Sequence, residues 1–276
     1  MNKKENIFNS SLLPPPSSLT IEVRECRTFE DFDACVSLQR EVFGYSDLEI
    51  SPRRYLILSR RAGGWTLGAF MAGRLAGFVH HLVAVRGAAE IIGYSHMMAV
   101  AHAFQNRGVG ARLKWAQRAR ALAEGRSYIT WTWNPMHARN AHFNLNRLGV
   151  TASSYAANFY GTEGIGPTKE ANDSTGIDSD RLFADWDLSS ARVAELAAGN
   201  LPPALPDPVE TIEIPPDWNA LVRQDAMAAR AAQERVRSEF HRAFAAGLLC
   251  AGFQRDAAHP RYLLYESQVT GLKPRV

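Results

Sequence analysis

The chain has 276 residues, 46 % of them hydrophobic, and a formal net charge of +3. That length can bury one large core or two small ones. A charge so mild, with no Lys/Arg run interleaved with aromatics, excludes the footprint of a nucleic-acid groove. No apolar stretch approaches the roughly 20 residues that cross a bilayer, and the first residues lack the apolar core of a signal peptide. Three cysteines, Cys26, Cys35 and Cys250, have no ligand spacing. They read as reduced thiols of a cytoplasmic protein without a metal site.

Residues 1–20, with Pro14-Pro15-Pro16 and many Ser and Asn, are expected to be a disordered tail. Ile21 to Arg27 alternates as a strand. Phe29 to Phe43 carries apolar residues at helical spacing and stops at Gly44. Pro52 to Arg61 reads as a second helix, and Trp65 to Met71 with Leu75 to Val85 as a hairpin about Ala72-Gly73-Arg74. Ile91 to Val100 is a strand, Ala111 to Glu124 a helix, and Tyr128 to Trp133 a strand stopped by Asn134-Pro135. A helix from Arg139 to Leu148 ends at Gly149, a strand runs from Thr151 to Tyr160, Gly161 to Asp180 is a mobile loop, and Arg181 to Leu188 alternates as a strand. Beyond it, Leu201 to Trp218 holds six prolines and predicts an extended crossover. Asp217 caps one long helix through Ala246, and Leu248 to Gln254 with Arg261 to Tyr265 makes a final hairpin. Residues 191–276 are expected to be an extension packed on a core domain of residues 21–190, because one helix and a hairpin make a thin core alone.

Between the strand ending at Val100 and the following helix lies Gln105-Asn106-Arg107-Gly108-Val109-Gly110. Glycines let a phosphate approach the backbone, and the first turn of a helix offers unpaired N–H groups and partial positive charge. The stretch is therefore a candidate diphosphate seat. A tight connection without a ligand is the alternative. It lacks the third glycine of a dinucleotide fingerprint and the Gly-Lys-Ser/Thr of a P-loop.

The loop and its flanks resemble the Gcn5-related N-acetyltransferase (GNAT) superfamily, whose signature is Gln/Arg-x-x-Gly-x-Gly/Ala after a strand ending in Val. The order β-α-α-β-β-β-α-β-α-β-β agrees with that superfamily's. The resemblance implies a mixed, mostly antiparallel sheet flanked by helices and acyl transfer from coenzyme A to an amine. It implies that Met98, Ala99 and Val100 offer backbone to the pantetheine arm and the oxyanion. Gln105, Asn106, Arg107, Gly108, Val109, Gly110 and Ala111 would hold the diphosphate. Asn140 and Asn144, at i and i+4, would contact the cofactor, and Arg147 an adenine phosphate. Phe43, Asn134 and Arg181 would line the acceptor side, with Arg181 a carboxylate partner.

Acyl transfer needs a base for the ammonium, support for the oxyanion and a proton for the leaving thiolate. His96 is the candidate base. Alternation puts it on one face with Tyr94, Met98 and Val100, and a pKa near 6.5 suits proton removal at neutral pH. Many relatives have a Tyr four residues before the helix-ending glycine, where this chain has Leu145. Tyr155 or Tyr160 would substitute as acid, or no protein acid acts. Within the superfamily the chain also resembles a poorly characterised group, which implies an amino-acid acceptor and a succinyl or acetyl group. The expected cofactor is acetyl-CoA or another acyl-CoA, including succinyl-CoA. The expected partner is a small amine, with a homodimer allowed and no nucleic acid or membrane. A non-catalytic CoA-binding module and a protein N-acetyltransferase are the alternatives.

Overall fold

The computed structural model describes residues 20–44, 47–164 and 174–267. All but the last residue of the expected tail lie outside that range. The elements in order are β1 (Glu22–Glu25), α1 (Phe29–Phe43), α2 (Arg53–Arg61), β2 (Trp65–Met71), β3 (Arg74–Arg86), β4 (Glu90–Val100), α3 (Val109–Ala123), β5 (Tyr128–Trp133) and α4 (Ala138–His142). There follow β6 (Tyr155–Ala156), β7 (Thr162–Gly164), β8 (Ser174–Asp178), β9 (Arg181–Asp187), α5 (Ala191–Ala198), β10 (Glu210–Glu213), α6 (Trp218–Gln224), α7 (Ala226–Ala245), β11 (Leu248–Gln254) and β12 (Arg261–Glu266). Among the described residues no helix is long and apolar enough to cross a membrane.

The main sheet has seven strands in the order β1-β2-β3-β4-β5-β9-β6. Every neighbouring pair is antiparallel except β4 and β5. Parallel neighbours need a crossover, and α3 supplies it. α1 and α2 cover one face of β2–β4, packing Phe32, Cys35, Leu38 and Leu56 on Phe78 and Ala99. α3 covers the other, with Val109 and Leu113 on Leu67 and Val79. The mixed, mostly antiparallel sheet flanked by helices is thus the fold observed. α1 starts where its capping chemistry dictates. The Thr28 hydroxyl accepts from Asp31 N–H, and the Asp31 carboxylate accepts from Thr28 N–H.

The second half departs from the sequence reading. The helix expected over 139–148 is α4 followed by a wide turn over Phe143–Arg147, in which Leu148 N–H reaches back to Phe143 O at 3.1 Å. The strand expected over 151–160 shrinks to Tyr155–Ala156. Thr151 bridges Asp185 on β9 while Ala152 bridges Cys250 on β11, so this stretch ties two sheets together and cannot run as a ladder of one. The loop expected over 161–180 carries the paired strands β7 and β8 at its ends. Residues 165–173, within that loop, lie outside the described range. The long helix from Asp217 breaks at Asp225, whose backbone leaves helical geometry and whose carboxylate caps α7 through Ala228 N–H at 2.9 Å. The proline-rich crossover contains β10, which pairs with β12 and turns the final hairpin into a three-stranded sheet. One apolar cluster runs from Ile129 and Trp186 through Val236 and Phe240 to Tyr262, so α7 and the small sheet share their core with β5 and β9.

Candidate active site

β4 and β5 pair only at Gly93↔Ile129 and Tyr94↔Thr130. Beyond Tyr94, β4 keeps β3 on one edge and, among the described residues, has no strand on the other, so the two parallel strands open as a wedge. Backbone N–H and C=O groups along that bare edge can receive an extended ligand arm. The side chain of Arg139 spans the open end. It donates to Gln105 Oε1 at 3.1 Å and Asn106 Oδ1 at 3.2 Å, joining the helix after β5 to the loop after β4.

In that loop Asn106 and Gly108 have φ of 61° and 79°. A Cβ on Gly108 would meet nothing within 4 Å, so its surroundings are open. α3 begins at Val109, two residues earlier than expected, which places Gly110 and Ala111 in its first turn. Its first bond runs from Arg112 N–H to Gly108 O at 3.1 Å, so the N–H groups of Val109, Gly110 and Ala111 point out of the helix end. No acidic residue lies in that turn, and Arg107 and Arg112 flank it, exposed. Free donors, the positive end of a helix dipole, open space over Gly108 and no carboxylate fit the diphosphate of an acyl-CoA. The Gln105 amide donates to Val100 O at 3.1 Å, so its side chain braces the loop.

The register between β3 and β4 slips at His80/His81, where His80 faces Met97 and His81 faces Ser95. His96 is the extra residue of this bulge. The bulge corrects the expected alternation. His96 stays with Tyr94 on the face of α1 and α2, but Met98 and Val100 pass to the α3 face, where they pack beside Val109 and Leu113. Ala99 packs with Phe78 on the first face. The His96 ring is exposed on one side and walled by Tyr55 and His80, at 5.6 and 5.8 Å between centroids. Those walls hold its pKa below the ordinary imidazole value, so it is neutral at neutral pH. His80 is fully buried, its Nδ1 meets Thr66 Oγ1 at 2.8 Å, and burial followed by the neighbouring His96 lowers its pKa to about 3.

At the crotch of the wedge the Thr132 and Tyr160 hydroxyls lie 3.4 Å apart beside Tyr94, and burial, then Tyr160, pushes the Tyr94 pKa up to about 12. Tyr160 is exposed, and the Arg181 guanidinium lies 5.1 Å from its ring centre. Tyr155 lies inside the fold, largely away from the wedge. Its hydroxyl donates to Asp180 at 2.5 Å, and burial pushes its pKa far up. Leu145 is fully buried in the main apolar cluster.

The remaining expected residues disperse. Phe43, at the end of α1, packs in the cluster of Ala99 and Tyr55. The Asn134 carboxamide oxygen accepts from Met136 N–H at 2.9 Å and shapes the turn after β5. Asn140 and Arg147 are exposed while Asn144 is buried, so the two asparagines do not share an environment as i, i+4 spacing suggested. Sequence reading missed Tyr55, His80 and Arg139. It named Tyr94 only as a face-mate of His96, and that shared face was the available signal.

No family model and no curated protein matches the chain. It is similar to a putative GNAT-family acetyltransferase from Desulfovibrio desulfuricans, at 15 % identity and TM-score 0.49, over 62 % of this chain and 100 % of that one. It is also similar to the ribosomal-protein-S18-alanine N-acetyltransferase from Escherichia coli, at 14 % identity and TM-score 0.48, over 62 % and 96 %. A third, an aminoglycoside acetyltransferase from an uncultured soil metagenomic sample, is similar at 16 % identity and TM-score 0.40, over 45 % and 84 %.

Proposed function

We propose that the chain is an acyl-CoA-dependent N-acyltransferase that moves an acetyl or succinyl group to the amine of a small molecule such as an amino acid. The wedge carries this reading. A parallel pair parts after two register positions, an anion-binding helix start lies at its open end, and an exposed neutral histidine lies on its inner edge. Residues 21–190 form the catalytic unit in this reading, and residues 191–276 the extension that packs on it.

A bound acyl-CoA supplies the activated acyl carbon. The α3 start and the loop from Gln105 to Ala111 hold its diphosphate, and the bare edge from His96 to Val100 aligns the arm. His96 takes the proton from the acceptor amine, which as an ammonium has no lone pair. A backbone N–H of β4 beside the bulge faces the developing oxyanion. As the amine attacks and the C–S bond breaks, Tyr160, beside Thr132, gives a proton to the leaving CoA thiolate, and Arg181 next to it pairs with a carboxylate of the acceptor or the acyl group. A non-catalytic CoA-binding module is the second reading, favoured by the burial of Leu145 where relatives place an acid.

The test is a thermal-shift titration of the full chain with CoA, acetyl-CoA and succinyl-CoA, on wild type and Gly110→Asp. A Cβ at Gly110 meets Met98 at 3.5 Å, an ordinary contact, so the substitution is sterically accommodated and adds a carboxylate to the first turn of α3. At about 100 times Kd the ligand adds roughly 2.7 kcal/mol. A shift present in wild type and lost in the variant supports the site. No shift with any of the three overturns it. Binding without turnover across an amino-acid screen selects the second reading.

A further inference from the structure

The extension reaches the wedge through one face of α7. Gln233 and Arg237, one turn apart, grip residues 178–180. The Gln233 amide donates to Asp178 O at 2.7 Å and accepts from Asp178 N–H at 3.3 Å. Arg237 makes a two-pronged bond to Asp180, Nε to Oδ2 at 2.9 Å and Nη2 to Oδ1 at 2.8 Å, and Nη2 also reaches Asp178 at 2.7 Å. Asp180 is fully buried and also accepts from Tyr155 and from Asn158 N–H at 2.9 Å.

The same short segment then holds the next turn. Ser179 O accepts from Phe159 N–H at 3.1 Å, Ser179 Oγ accepts from Tyr160 N–H at 2.7 Å, and Ser179 N–H donates to Asn158 Oδ1 at 3.3 Å. Asn158 itself has φ of 47°, a conformation that its local bonds must maintain. At the end of this chain of contacts Tyr160 lies against Tyr94 and Thr132.

We infer that Arg237 is a positioning residue, which through Asp180 and Ser179 fixes Tyr160 at the acceptor side of the wedge. The extension already has an apolar anchor in Val236, Phe240 and Ala243, so packing alone does not call for a buried ion pair at this point. Arginine fits because its planar fork sets both the distance and the direction of the Asp180 carboxylate, which a flexible lysine does not. What Tyr160 does rests on the acyltransferase reading. That Arg237 holds it does not.

The experiment compares full-length wild type, Arg237→Gln, Arg237→Lys and Ser179→Ala by residue-resolved amide exchange, acylation kinetics and CoA thermal shift. Arg237→Lys keeps a cation opposite the buried carboxylate and so guards against simple unfolding. The expected result is that the Phe159 and Tyr160 amides exchange at least tenfold faster in both Arg237 variants, while β3 and β4 amides and the CoA shift stay at wild-type values. Ser179→Ala reproduces the effect at Tyr160 with the α7 grip intact, and kcat falls in all three with acceptor KM little changed. Unchanged exchange at both amides in a folded Arg237→Lys overturns the inference, as does an increase shared by the whole sheet. If no amine is acylated by wild type, the functional reading falls and the exchange data still decide the positioning role.

Discussion

Across β3 and β4 the sheet carries polar groups on both faces, and the faces differ in whether water reaches them. On the α3 face His81 stacks on Trp65, with ring centroids 4.0 Å apart. The Gln117 amide donates to His81 Nδ1 at 3.3 Å, and Lys114 Nζ donates to Ser95 Oγ at 2.9 Å and Gln117 Oε1 at 3.0 Å. The lysine nitrogen lies 3.6 Å from the centre of Trp131, and burial holds its pKa well below the usual range. Every member of this network is buried. On the α1 and α2 face His80 is buried too, yet His96 one bulge away is open to solvent. The same residue type therefore meets different surroundings on the two faces. The sealed histidines are enclosed by core side chains, and His96, the extra residue of the bulge, reaches solvent.

The sharpest break in this comparison is His96→Ala. It is expected to lower kcat about 10²- to 10⁴-fold with little change in Tm, and full turnover removes the proposed base. Wild-type kcat/KM should fall as pH drops through the lowered His96 pKa, because only the neutral ring accepts a proton.

Acid denaturation probes the sealed groups. His80 and His81 are each held near pKa 3, against 6.5 when unfolded. With folded values depressed, the unfolded chain binds the extra protons. Stability is therefore complete above pH 6.5 and lost toward pH 3, at about 1.4 kcal/mol per pH unit for each ring. Urea melts from pH 7 to 4 measure that slope, and His81→Gln should halve the contribution of the pair. A flat profile over this window would mean the rings are not held neutral.

Leu145→Tyr asks whether the missing acid can be restored. Leu145 is fully buried, so the ring overpacks the core at about 1–3 kcal/mol and kcat does not rise. A gain in kcat would place this side chain in the wedge. Asp225→Ala, outside both faces, should cost about 1 kcal/mol through loss of the α7 cap, read as a lower urea midpoint with kinetics unchanged.

Elements with a strong local signal were legible in the chain. α1 has its capping box and Gly44, β5 its stop at Asn134-Pro135, and β4 its place before a glycine turn. The second half was not, because its geometry is set by partners far along the chain. Ala152 pairs with Cys250, and Asn146 Oδ1 accepts from Phe253 N–H. Those contacts leave no periodic trace, and they shorten a predicted strand and open a predicted helix into a wide turn.

The site divides in the same way. Sequence alone determined the glycine loop, the helix that starts in it and a histidine on the preceding strand, since each is a matter of residue type and short spacing. Only the tertiary structure decided that His96 sits in a bulge, that Met98 and Val100 turn to the opposite face, and that Arg237 reaches Tyr160 through Asp180 and Ser179. Register slips and side-chain bridges are fixed by which strands and helices meet, and that is a property of the packed chain rather than of any segment.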